Sequence, residues 1–184
     1  MDEIKSLKFS FVEDNIRQMI GKLANNQEFI RYIFNLNDFP LALEYYDVDG
    51  NTIPQPDYPM PYPLIESKTV LLTLFNPTIV VKEHVSVFFS PLKGTSSEGD
   101  PLMNNKWILD MVIPYSAMII NGEDMRMFKL ANLVCQEWDM KRDIAGVGRV
   151  IMYDWNTAYV SDLYQGIRLY FKVDDSSFTD EIDE

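Results

Sequence analysis

The N-terminal part of the chain has the hydrophobic spacing of two helices. Apolar residues recur three or four positions apart, as on one buried helix face, at Val12, Ile16, Met19, Ile20 and Leu23. Ser10 followed by Glu13 is a capping-box pattern and predicts the start of this helix. Asn25 with Glu28 predicts the cap of a second helix that runs to Leu36. Because this second segment is apolar almost all round, we expect it to be buried or covered by a partner.

The next stretch, residues 40–64, has the pattern of an extended segment. Its five prolines are Pro54, Pro56, Pro59, Pro61 and Pro63. Proline removes a backbone donor and fixes φ, so these residues are neither helix nor central strand. We expect a polyproline-II-like strap with Tyr58, Met60 and Tyr62 as its apolar contacts. Ahead of the strap, Tyr45-Tyr46 and the turn signal Asp49-Gly50 predict a short hairpin.

The remainder alternates between apolar and polar residues, as strands do. The predicted strands are residues 70–75, 79–89, 107–113, 147–155 and 167–173. In the strand 147–155, the residues Val147, Ile151, Tyr153 and Trp155 are expected to share one face. In the strand 167–173, the residues expected to face inward are Ile167, Leu169, Phe171 and Val173. Residues 90–106 form a polar loop longer than a compact hairpin needs, and residues 156–166 form a second long loop.

One helix interrupts this series of strands. Asn121 is its expected cap, with Glu123 and Asp124 in the first turn and Lys141 and Arg142 beyond the end, which complements the helix dipole. Its buried stripe is Met127, Leu130, Ala131, Val134 and Trp138. The elements predict an α+β fold: a mostly antiparallel sheet with flanking helices, a long hairpin arm and a proline-rich extended strap.

The chain is predicted to form a single domain over residues 1–173. It consists of a helical part at 7–36, the strap at 40–64 and a sheet–helix body at 70–173. Residues 174–184 carry six acids and no base, and we expect them to be a disordered tail. The whole chain has 184 residues, 47% of them hydrophobic, enough for a substantial core.

The charge distribution argues against ordinary nucleic-acid binding. The formal net charge is −12, and without the acidic tail the other 173 residues carry 22 acids and 16 bases. No stretch is dense enough in lysine and arginine to bind phosphates. No apolar run reaches the roughly 18 residues of a membrane span, and the N-terminus lacks a signal-peptide pattern. A single cysteine suits a reducing compartment.

Two short motifs resemble ligand-binding loops but lack essential positions. Gly146-Val147-Gly148 begins like a dinucleotide fingerprint, yet Ile151 holds the third glycine position and a strand follows where a helix is required. Asp47-Val48-Asp49-Gly50-Asn51 is like part of a calcium loop, but Pro56 stands where the ligating glutamate belongs. We therefore predict strand entry at the first and a hairpin turn at the second, with no metal and no cofactor.

Catalytic residues are not predicted. His84 is the single histidine, and no serine lies in a nucleophile elbow, although a serine–histidine–acid arrangement stays open at this point. Cys135 is expected to be a small packed apolar group. A hydrolase using His84 is therefore the weakest of three interpretations.

Three stretches of the chain resemble a known class of proteins. They are the helical run 29–36 that opens onto Asn37-Asp38-Phe39-Pro40-Leu41, the hairpin of 79–89 with 107–113, and the closing helix and strands from 123 to 173. Their order is similar to that of the head-to-tail connector proteins of tailed bacteriophages, the neck and tail-terminator-like ring proteins. The more specific comparison is with neck proteins of crAss-like phages. The resemblance implies a closed ring of identical subunits around the DNA channel, without catalysis or cofactor.

The resemblance gives the leading interpretation, a structural virion protein at the head–tail junction. Its expected partners are other copies of itself, neighbouring portal, neck or tail proteins, and DNA that passes through the lumen without specific binding; no membrane is involved. Arms and straps supply the heterologous contacts of a ring. The expected interface residues are Pro54, Pro56, Tyr58, Pro59, Pro61, Tyr62, Lys93, Gly94, Glu98, Asp100 and Met103. The alternative is a cytosolic non-enzymatic adaptor or chaperone-like module that binds a partner through the strap.

Overall fold

A computed structural model describes residues 7–95, 104–142 and 149–174 of the chain. The described helices are α1 (Leu7–Ala24), α2 (Gln27–Phe34) and α3 (Arg126–Trp138). The strands are β1 (Glu44–Tyr46), β2 (Thr52–Pro54), β3 (Val70–Leu71), β4 (Ser86–Thr95), β5 (Asn104–Pro114), β6 (Ile119–Ile120), β7 (Asp124–Met125), β8 (Arg149–Ser161) and β9 (Tyr164–Asp174). Gly146-Val147-Gly148 and residues 175–184, most of the predicted tail, lie outside these ranges.

A five-stranded sheet in the order β3-β4-β5-β9-β8 forms the body of the fold. The short β3 is parallel to β4, and every other neighbouring pair in this sheet is antiparallel. Two small hairpins, β1–β2 and β6–β7, lie outside the sheet. The predicted α+β fold with a mostly antiparallel sheet and flanking helices is confirmed.

The helices cover one face of this sheet, which we call the helical face. Alternate strand residues point into it, because side chains in a strand alternate with a period of two. Its buried residues include Val87, Phe89, Trp107, Leu109, Met111, Ile167, Leu169 and Phe171. The prediction that Ile167, Leu169, Phe171 and Val173 face inward is confirmed. The opposite face, here the outer face, includes the ion pair between Asp110 and Arg168 at 2.6 Å.

The stripe predicted on α3 is the centre of the core. Met127, Leu130, Ala131, Val134 and Trp138 are all buried. The Trp138 ring contacts Phe89 and Phe171, with ring centroids 5.3 and 5.2 Å away. Its indole N–H donates to the carbonyl of Met19 at 2.9 Å. Trp138 therefore joins α1 to the helical face of the sheet.

A buried arginine, Arg126, lies at the N-terminal end of α3, opposite Trp138. Arg126 is fully buried, and its guanidinium donates four hydrogen bonds of 2.7–2.9 Å. The four acceptors are the backbone carbonyls of Ala117, Tyr32, Asn35 and Asn37. Burial lowers the pKa of Arg126 to about 10, so the group is still charged at neutral pH. The cation lies at the C-terminus of α2, where the helix dipole favours it.

The predicted helix caps were wrong by one residue or more. Ser10 lies inside α1, which begins by Leu7. Asn26, not Asn25, caps α2 and accepts a hydrogen bond from the Phe29 N–H at 2.9 Å. Asn121 does not cap α3, because it lies in the turn between β6 and β7 with φ of 52°. Asn121 tolerates that left-handed conformation better than most residues do, and so favours the turn.

The strand boundaries also differ from the pattern. The predicted strand 70–75 is shorter in the structure, because residues 72–75 are not strand. The predicted strand 79–89 begins only at Ser86, because a 3-10 turn and irregular backbone precede that residue. Most of the two predicted loops is strand instead: β4 and β5 stay paired as far as Thr95 and Asn104, and β8 and β9 are joined by a tight turn at 162–163. A bulge between Met152 and Asp154 turns Trp155 to the helical face, away from Ile151.

Trp138→Ala should lower the free energy of unfolding by about 3–5 kcal/mol, since it opens a cavity in the core. Urea denaturation followed by circular dichroism measures the change. Trp155→Ala is the matched control, because Trp155 is half exposed and its loss should cost under about 1 kcal/mol. Equal effects for the two variants would contradict the central position of Trp138.

Arg126→Met should destabilise the fold by about 3–5 kcal/mol, because it keeps the aliphatic volume but leaves four carbonyl acceptors without a donor. Arg126→Lys should cost less, since an ammonium group restores part of the donor set from a single point. Chemical denaturation of the two variants in parallel tests this order. A loss below about 1 kcal/mol for Arg126→Met would show that water replaces the guanidinium without cost.

Candidate assembly interface

The proline strap lies on its own subunit. The Tyr58 ring stacks on Phe34 of α2, with centroids 5.2 Å apart, and the Tyr62 ring packs on the same side chain at 4.9 Å. The Tyr58 hydroxyl donates to Asn35 Oδ1 at 2.8 Å, and the Tyr62 N–H donates to the Ala24 carbonyl at 2.8 Å. Burial raises the pKa of Tyr58. The strap therefore covers the end of α2.

This arrangement divides the predicted strap residues into two groups. Tyr58 and Tyr62 are half-buried against their own subunit, and any further part of theirs in an interface stays a prediction. The prolines Pro54, Pro56, Pro59 and Pro61 are exposed. Their part in an interface stays a prediction. The sequence showed an apolar strap but not which surface its tyrosines contact.

The predicted arm is a continuation of the sheet. Lys93 and Gly94 lie in β4, opposite Lys106 and Asn105 of β5, just beyond a bulge after Pro91. The other three arm residues, Glu98, Asp100 and Met103, lie outside the described residues. The hairpin pattern was therefore right, while the loop 90–106 is shorter than predicted.

A second projecting element was not among the predicted interface residues. The hairpin β1–β2 exposes Leu43, Tyr46 and Val48, with relative exposures of 72%, 76% and 102%. Gln55 holds the base of the hairpin. Its backbone N–H donates to the Leu43 carbonyl at 2.8 Å, and its side-chain amide donates to the Phe39 carbonyl at 2.6 Å. A two-stranded hairpin has little stability of its own. Three exposed apolar side chains on such a hairpin make it a candidate contact surface.

The hairpin is also strongly acidic. Residues 37–57 contain no lysine, arginine or histidine, and their acids are Asp38, Glu44, Asp47, Asp49 and Asp57. Asp47 is used in the turn, where its carboxylate accepts from the backbone of Asp49 and Asn51 at 2.9 and 2.7 Å. The hydrogen bonds from Asn51 hold the pKa of Asp47 below its usual value. The predicted hairpin turn at Asp49-Gly50 is confirmed.

A basic surface lies at the other end of the molecule. Lys106 and Lys172 are register partners on the adjacent strands β5 and β9, and we call them the lysine row. Like charges directly opposite each other destabilise a sheet. The Lys106 ammonium group lies 5.3 Å from the centre of the Tyr153 ring. The sequence did not reveal this cluster, because its members are far apart along the chain.

The candidate chemical groups contact the fold around them. The His84 ring packs edge-on against Phe34 at 5.5 Å, and Nδ1 lies 2.9 Å from the Val85 carbonyl. Cys135 is half-buried, and burial raises the pKa of its thiol to about 11. A small hollow on the outer face is lined in part by Asp110 and Arg168, whose charges already pair with each other.

No metal site is found within the described residues. Among them, no group of three or more histidine, cysteine, aspartate or glutamate side chains is placed to hold an ion. No described helix is long and apolar enough to cross a membrane.

Within the described residues, these features define a small α+β protein with three α-helices on one face of a mostly antiparallel sheet, and with the hairpins β1–β2 and β6–β7 outside that sheet. The model of the YomW family matches residues 26–173, which is most of the chain. The chain belongs to the YomW family, a phage-derived family of the Bacillus phage type. Comparison with curated proteins gives no match. The family match gives no support to the narrower comparison with crAss-like neck proteins.

Cys135 should react slowly with a thiol reagent in the native protein. At pH 8, a pKa near 11 instead of the usual value of about 8.5 leaves roughly two hundredfold less thiolate. The rate of reaction with a chromogenic disulfide, measured before and after unfolding in urea, tests this. A native rate equal to the unfolded rate would instead indicate an accessible, activated thiol.

Proposed function

We propose that this phage-derived protein is a non-enzymatic structural component of the virion, and that it forms a closed ring around the DNA channel at the head–tail junction. Copies of the chain are its main partners, with portal, neck or tail proteins above and below. DNA passes through the lumen without specific binding.

The observation that carries the proposal is the placement of two different hairpins, β1–β2 and β4–β5, at opposite ends of the fold. The apolar hairpin β1–β2 extends from one end, and the β4–β5 arm from the other. Arg126 hydrogen-bonds to Asn37 beside the first element, while Met140, just after α3, bonds to Val150 near the second. The 13-residue helix α3 separates the two ends by about 19 Å.

Two unlike ends favour head-to-tail association. A surface that binds its own copy about a two-fold axis uses the same patch twice, whereas a heterologous contact joins one patch to a different one. Repeated heterologous contacts close into a ring when the rotation between subunits allows it. The family membership supports a phage context for such a ring.

The purified protein should form rings of uniform size, seen by negative-stain microscopy and by light scattering at several concentrations. The variant Tyr46→Ser with Val48→Ser should stay folded but lose the ring, because it removes two exposed apolar contacts from the hairpin. Tyr115→Ser with Leu163→Ser is the matched control, since both side chains are similarly exposed elsewhere on the surface.

A wild-type protein that stays monomeric at all concentrations would contradict the ring proposal. In that case the exposed prolines of the strap favour the adaptor interpretation, in which a single partner protein binds the monomer. A hairpin variant that assembles like the wild type would show that the ring uses other contacts.

A further inference from the structure

We propose that the acidic hairpin β1–β2 of one copy docks on the lysine row of the next copy. The inference rests on the proposed ring and names the two surfaces that would build it. The hairpin tip and Lys106 are exposed, Lys172 is half-buried, and the two surfaces carry opposite charge at opposite ends of the subunit.

The hairpin presents both apolar and acidic groups. Leu43, Tyr46 and Val48 supply exposed apolar area, and Glu44 and Asp49 are exposed carboxylates beside them. Neither Glu44 nor Asp49 has a salt bridge among the described residues. Apolar and charged groups together are the usual composition of a specific interface.

The lysine row has the complementary composition. Lys106 and Lys172 lie opposite each other on β5 and β9 and point to the outer face. Exposed apolar side chains flank them: Leu92 at the bulge of β4 and Tyr153 at the bulge of β8. The two lysines of the row repel each other, and an acidic partner removes that repulsion.

A second copy is the occupant that the charges favour. The chain itself carries an exposed acidic and apolar hairpin that matches the row in both respects. Because the two surfaces are about one helix length apart on the subunit, one copy cannot bring its own hairpin to its own row. The contact is therefore heterologous, and it repeats from subunit to subunit as a ring requires.

Charge reversal tests the contact. The hairpin variant is Glu44→Lys with Asp49→Lys, and the row variant is Lys106→Glu with Lys172→Glu. We expect each variant alone to weaken self-association by about tenfold or more, measured by light scattering and native mass spectrometry. Wild-type association should also weaken as salt rises from about 0.05 M to about 1 M.

Mixing the two variants gives the sharpest result. In an equimolar mixture each basic hairpin meets an acidic row and each acidic hairpin meets a basic row, so assembly should return with the two chains in equal number. A chain with all four substitutions should assemble alone. Asp14→Lys is the control for a charge reversal at an exposed site outside both surfaces, and it should assemble normally.

Thermal unfolding shows whether each variant is folded. If the row variant fails to fold, the neutral pair Lys106→Gln with Lys172→Gln replaces it and should still weaken association. Rings that persist in both reversed variants would overturn this contact while the ring proposal stands. A monomeric wild-type protein would overturn both.

Two other occupants of the row predict different results. If residues 175–184 of the same chain neutralise the row, the row variant assembles as the wild type does, and the proposal fails. If the row binds DNA, the row variant loses binding to a labelled duplex with no change in self-association, which also overturns it.

Discussion

The guanidinium of Arg126 is the interaction on which the arrangement of the fold depends. It donates to carbonyls from the end of α2, from the segment after it and from the turn before β6. The acceptors at the end of α2 and just after it are 89 to 94 residues from Arg126 along the chain. Ala117 is nine residues from it. Carbonyl groups at a helix end are left without partners by the helix itself. A buried cation with several donors satisfies them together, which fixes α2 against α3.

The position of the hairpin β1–β2 follows from this interaction. Asn37 accepts from Arg126 through its carbonyl, and its side-chain amide donates to Gln55 Oε1 at 3.0 Å. Gln55 in turn holds the base of the hairpin through Leu43 and Phe39. The exposed apolar tip is thus connected to the core by a short series of hydrogen bonds. A hairpin held in this way can present its side chains without being packed itself.

The sequence predicted features that depend on local periodicity and missed those that depend on distant segments. The stripe from Met127 to Trp138 and the inward face of β9 were predicted because spacing alone determines them. From the sequence alone, Arg126 cannot be told from an ordinary surface arginine, because its acceptors lie in other parts of the chain. The lysine row needs the register of β5 against β9, and register is set by the whole sheet. Tyr58 and Tyr62 were recognised as contacts, but their partner Phe34 was not.

The same core that stabilises the fold keeps the two charged ends apart. Trp138 joins α1 to the sheet at the end of α3 near the lysine row, while Arg126 fixes the other end beside the hairpin. Since α3 is buried along one side between these two anchors, it sets the separation and direction of the acidic and basic surfaces within the subunit. In the proposed assembly, that separation and direction would set the rotation from one subunit to the next. The rotation decides between a closed ring and an open filament in a heterologous assembly, so the ring proposal assigns the buried helix a part in assembly as well as in the fold.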